Sequence, residues 1–125
     1  MPEPYPTILL IEDDQNTREL YYRELKRDFK VLTSNSESET LDLLNTHTVC
    51  AIILEPALRH GQGWALLENL HLKPQTRAIP IILCSTLDER RLGLELGATR
   101  YLTKPVLPNT LLGVIHQVLN NSVNS

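Results

Sequence analysis

The chain has 125 residues and a mass of 14.2 kDa, the size of one compact domain spanning residues 1–125. Hydrophobic residues make up 42% and charged residues 22%, which excludes a disordered chain, and no apolar run is long enough for a membrane span. Twelve Lys and Arg against fifteen Asp and Glu give a formal net charge of −3, so direct nucleic-acid binding has no basic footprint to rest on.

In chain order, Met-Pro-Glu-Pro-Tyr-Pro has neither a basic region nor an apolar signal core, and its prolines make residues 1–6 an extended lead-in. A first strand is predicted from Ile8 to Ile11, ending in Glu12, Asp13 and Asp14. Leu20, Tyr21 and Leu25 then share one helical face, and the weaker run from Phe29 to Thr33 reads as a second strand. Ser36 with Glu39 three residues on resembles a capping box, opening a second helix with Leu41 and Leu44 on one face. The third strand, Ala51 to Leu54, ends at Glu55; Gly63 opens a third helix marked by Trp64, Leu67 and Leu70. Ile79 to Cys84, with Pro80 near its start, reads as a fourth strand ending in Ser85 and Thr86. Leu92 and Leu96 mark a fourth helix with Gly97 as its left-handed C-cap, and Thr99 to Thr103 forms a fifth strand leading into Lys104-Pro105. Pro108 opens the last helix, whose Leu111, Ile115, Val118 and Leu119 form the clearest apolar stripe. The polar tail from Asn120 to Ser125 is expected to fray.

Apolar runs without alternation suit strands buried on both faces, and five strand–helix repeats imply a doubly wound α/β fold with a parallel sheet and right-handed crossovers. Cys50 and Cys84 sit in apolar runs with no Cys-x-x-Cys spacing, which reads as buried thiols of a cytoplasmic protein. His47, His60, His71 and His116 share no metal-ligand spacing; they read as surface or satisfied residues, and His60 has no phosphohistidine role to support it. Trp64 reads as core rather than as a stacking platform.

In an open α/β sheet, chemistry gathers at the carboxyl ends of the strands. Those ends carry Glu12, Asp13 and Asp14, then Glu55, then Ser85 and Thr86, then Thr103 and Lys104-Pro105. One rim thus collects carboxylates, hydroxyls and an ammonium. Ile-Leu-Leu-Ile-Glu-Asp-Asp with Arg18, the segment Leu58 through Gly63-Trp64, Ile79 to Ser85, and Thr-Lys-Pro after Gly97-Ala98 and Tyr101 together resemble the CheY-like receiver domain of two-component response regulators. The resemblance covers essentially the whole chain. It implies a flavodoxin-like (βα)5 three-layer sandwich with no enzyme activity of its own. It also implies an acidic pocket of Glu12 and Asp13, a conserved lysine at Lys104, a hydroxyl and aromatic switch at Ser85 and Tyr101, and a cis peptide before Pro105. The implied Mg²⁺ ligands are Glu12, Asp13, Glu55 and the backbone carbonyl of Ala57.

The departure lies at Glu55, where the family carries the aspartate that accepts a phosphoryl group. Glu adds one CH₂, so its carboxylate reaches about 1 Å further, and an error of that size in near-attack geometry costs about a hundredfold in rate. A pseudo-receiver that is not phosphorylated is therefore expected, held in one signalling state; a plain Glu55–Lys104 ion pair without activation, or a working receiver phosphorylated on Glu55, are the alternatives. Mg²⁺ is expected to bind weakly. The family further implies docking of a histidine kinase or an output domain on the fourth helix, fifth strand and fifth helix, here Asp88 to Gly97, Tyr101 and the last helix. Arg90, Arg91, Glu95 and Arg100 give that face mixed charge. An aspartate-nucleophile phosphatase would need Asp-x-Asp where the chain has Glu12-Asp13-Asp14, and a nucleotide-binding flavodoxin-like domain would need a glycine-rich loop after the first strand.

Overall fold

The computed structural model describes residues 5–124, with the side chains of His60 and of residues 122–124 outside that description. Residues 1–4 of the expected lead-in also lie outside it; Tyr5 and Pro6 precede the first strand. Five strands, β1 (Thr7–Ile11), β2 (Lys30–Ser34), β3 (Ala51–Leu54), β4 (Ile81–Ser85) and β5 (Arg100–Thr103), alternate with five helices. These are α1 (Gln15–Leu25), α2 (Glu37–Thr46), α3 (Leu58–Leu72), α4 (Arg90–Glu95) and α5 (Pro108–Asn124). All strands pair in parallel in the order β2-β1-β3-β4-β5, which makes a CheY-like, flavodoxin-like α/β fold.

The period of two along each strand divides the core. Ile8 and Leu10 of β1, with Ile53, Ile82 and Cys84, pack against Tyr21 and Leu25 of α1 and Leu111, Ile115 and Val118 of α5. Leu9 and Ile11, with Ile52, Leu54 and Leu83, face the other way onto Leu58, Leu66, Leu67 and Leu70 of α3. Because both faces are covered, the central strands are apolar throughout, which is why their sequences lack alternation.

Local chemistry sets the helix ends. Asp14 caps α1, accepting from the Thr17 N–H at 2.9 Å and the Thr17 hydroxyl at 2.6 Å. Ser36 caps α2 by accepting the Glu39 N–H at 3.2 Å. Gly97 lies at φ +116°, as a left-handed helix end requires.

Several expectations are corrected. Helix α3 starts at Leu58, not Gly63, through a first turn with Arg59 at φ 44° and Gly61 at φ 92°. Gly63 instead lies inside the helix against the chain after β3: a Cβ there would sit 2.7 Å from the Glu55 carbonyl and the Pro56 Cα. Helix α4 is one short stretch. Leu92 is exposed and Leu96 half-buried, since it is Gly93 that packs on Leu83 and Tyr101. Leu20 is likewise exposed while Tyr21 and Leu25 turn inward, and Trp64 is half-buried against the α3 side of the core. Cys50 is only half-buried; Cys84 is buried, its thiol pushed up to about 12 by burial. Within the described residues the last helix runs to Asn124.

Candidate functional site

Three of the expected residues meet at the carboxyl edge of the sheet. Glu12 follows β1, Glu55 follows β3, and Lys104 follows β5 ahead of a cis Lys104–Pro105 bond. The Lys104 ammonium donates to Glu12 Oε1 at 2.6 Å and to Glu55 Oε1 at 2.9 Å. The remaining carboxylate oxygens take backbone amides: the Asp14 N–H donates to Glu12 Oε2 at 3.2 Å and the Ala57 N–H to Glu55 Oε2 at 3.1 Å. Glu12 and Glu55 are buried, and among the described residues no buried side-chain polar atom lacks a partner.

The electrostatics follow from this packing. Burial raises the Glu12 pKa above the ordinary carboxylate value, with the Lys104 ammonium opposing the rise. Burial pulls the Lys104 ammonium down, but two carboxylates outweigh it and its pKa stands raised. One cation thus answers two buried anions.

Asp13 does not join them. It is exposed, and its Oδ2 accepts the Arg59 N–H at 3.1 Å. The Arg59 side chain donates through Nε to the Asn35 carbonyl at 2.7 Å, tying the loops after β1 and β2 to the first turn of α3. Sequence reasoning missed this residue: a left-handed Arg has no local signature, and only Gly61 nearby hinted at an irregular turn.

Mg²⁺ requires about six oxygens in a tight octahedron at about 2.0–2.1 Å. The expected set of Glu12, Asp13, Glu55 and the Ala57 carbonyl does not form one. The longer Glu55 arm reaches Lys104, Asp13 is turned to Arg59, and the Ala57 carbonyl accepts the Gly61 N–H at 3.1 Å. Among the described residues no three His, Cys, Asp or Glu side chains converge to hold a metal ion. The donors present do not fit a preformed divalent site.

Ser85 is fully buried, yet its Oγ faces the β4–α4 loop, accepting the Leu87 N–H at 3.1 Å. Tyr101 lies inward at 2% exposure; its hydroxyl donates to the Leu87 carbonyl and accepts the Glu89 N–H at 3.0 Å. The Arg90 guanidinium sits 6.0 Å from the Tyr101 ring centre. Both expected switch residues therefore hold one residue, Leu87, Ser85 through its N–H and Tyr101 through its carbonyl. Its role was invisible in the sequence, where it is one leucine in an ordinary loop.

A doubly wound α/β domain with carboxylates, a buried hydroxyl, an inward aromatic and a lysine on one rim defines a signalling receiver. The chain belongs to the response regulator receiver domain family, whose model matches residues 8–116. It is 32% identical over 116 residues to the transcriptional regulatory protein CssR of Bacillus subtilis, covering 90% of this chain and 51% of CssR. The chain spans about half the length of several curated relatives it matches. The CheY-like receiver domain protein of Methanospirillum hungatei shares the fold at TM-score 0.86 and 22% identity, covering 96% of this chain and 98% of that one. So does a Mn²⁺-bound form of the response regulator Rcp1, at TM-score 0.78 and 22% identity, covering 91% and 94%. Among the described residues no helix is long and apolar enough to cross a membrane.

Proposed function

We propose that this receiver works without phosphorylation, as an interaction module whose state is set by the Glu55–Lys104 pair. The observation that carries this reading is the pair itself: the Glu55 carboxylate is anchored on the Lys104 ammonium at 2.9 Å and on the Ala57 N–H at 3.1 Å. In-line phosphoryl transfer asks for a free carboxylate oxygen beside a divalent ion, with an ammonium left to neutralise the moving group. Here that oxygen is engaged, the ammonium is shared with Glu12, and Asp13 is turned to the Arg59 N–H.

Tyr101 is inward, but the Ser85 hydroxyl bonds the Leu87 N–H and not the Glu55 carboxylate, so only the aromatic half of the switch that the family implies is in place. Glu55 supplies about one charge where a phosphoryl group brings roughly −1.5 to −2, so the mimicry is partial. Partners, a histidine kinase or an output domain, would dock on the face of α4, β5 and α5, where Leu92 and Leu94 are exposed beside Arg90, Arg91, Glu95 and Arg100. No catalytic step is assigned to the chain.

Incubation with acetyl phosphate and Mg²⁺, followed by intact-mass measurement, tests the reading. The natural chain is expected to gain no phosphoryl group, whereas E55D, with the shorter arm, gains one. A phosphoryl adduct on Glu55 itself would establish a working receiver and overturn the proposal.

A further inference from the structure

We infer that the free edge of the sheet at β2, walled by α1, is a docking groove for an acidic, extended peptide segment of a partner protein, added as a sixth strand. Strand β2 is the outermost strand. The Lys30 N–H donates to the Pro6 carbonyl, and the Ser34 carbonyl accepts the Glu12 N–H, so these residues spend their backbone groups inward. The two-residue period then leaves Val31 and Thr33 with N–H and C=O directed outward, the alternating donors and acceptors that an added strand satisfies.

This edge floors an open groove of about 590 Å³ whose other wall is α1. Arg18, Tyr22 and Lys26 recur at four-residue spacing along that wall, with Arg23 beside them. Three cations stand against one acid, Glu19, which is itself bonded to Gln15 at 3.0 Å. None of Arg18, Arg23, Lys26 or Lys30 makes an ion pair among the described residues, while the neighbouring Arg27 is paired with Glu24. The exposed Tyr22 ring, with the Lys26 ammonium 5.7 Å from its centre, adds an apolar contact. On a chain of net charge −3 this is a local positive channel.

Charge selects the occupant. A second copy pairing through its own β2 would set these cations against themselves, the device by which edge lysines prevent self-association. An acidic strand reverses that sign. A nucleic acid would meet the cations but leave the outward N–H and C=O groups of β2 without a strand partner. The groove lies at the sheet edge opposite β5, so it leaves the α4, β5 and α5 face free for a second partner.

The test is selection from a displayed library in which Asp or Glu alternates with randomised positions, run against the natural chain and against R23E/K26E. Circular dichroism serves as the folding control. Enriched peptides are expected to bind the natural chain about tenfold or more tightly than the charge-reversed variant, and more weakly as salt rises. They should also slow hydrogen exchange at the Val31 and Thr33 amides. T33P removes one outward donor while keeping every charge, and should lose binding too. Equal enrichment on both chains, or peptides that bind without protecting those amides, overturns the inference. So does self-association through β2, or binding of a poly-uridine probe in place of the peptides.

Discussion

Lys104 neutralises two buried carboxylates at once, so its removal should be felt as repulsion as much as lost attraction. In K104M, Glu12 and Glu55 face each other without a counter-charge, and breaking a buried pair in this way costs about 3 kcal/mol or more at neutral pH. The sign of the pH dependence follows. In the natural chain the Lys104 pKa is raised above its ordinary 10.5, so its stabilisation is complete below that value and is lost as pH climbs through the raised one. In K104M the Glu12 carboxyl, its pKa already raised by burial, loses the ammonium that opposed the rise, so urea midpoints should rise as pH falls from 7 towards 5. A flat profile would show that Lys104 is not what opposes the burial of the Glu12 carboxylate. How legible this was differs by residue. Glu12, Glu55 and Lys104 were found because strand ends are where α/β sheets place chemistry. The turning away of Asp13 was not, because it depends on the Arg59 N–H, a backbone group with no side-chain signature.

Two helical glycines separate packing from propensity at the level of elements. In α3 a Cβ on Gly63 would strike backbone atoms of Glu55 and Pro56 at 2.7 Å; in α5 a Cβ on Gly113 meets nothing within 4 Å. G63A should therefore destabilise by about 1–3 kcal/mol through overpacking, while G113A should stabilise by about 0.5–1 kcal/mol through helix propensity. Thermal unfolding of the two variants checks both signs. The same contrast explains why the start of α3 was misplaced from sequence. A glycine suggests a boundary, yet here it marks a close approach of helix to backbone. Strand β3 and helix α5 were readable, since an unbroken apolar run and a stripe at i, i+4, i+7 and i+8 are local signals. Helix α4 was not: its leucines look like a buried stripe, but Gly93 is the residue that touches the core, and close approach leaves no hydropathy to read.

Across the whole molecule, stability should be uneven. The central strands and α5 are buried on their inner faces, whereas α4 is short, exposes Leu92 and Leu94, and is held through Gly93 and the Tyr101 bonds to Leu87 and Glu89. Amides of α4 are expected to exchange with solvent at least about tenfold faster than those of α5 at Ile115, and Y101F should widen the gap. Uniform protection would mean that the α4 face is as rigid as the sheet. The clasp at the rim has a wider consequence. Lys104 lies 92 positions along the chain from Glu12 and 49 from Glu55, so the counter-charge for the first and third strands comes from the fifth. During synthesis the acidic rim cannot be neutralised until Lys104 has left the ribosome. The emerging amino-terminal half must wait, open and hydrated, for the late-arriving ammonium that lets the whole unit close.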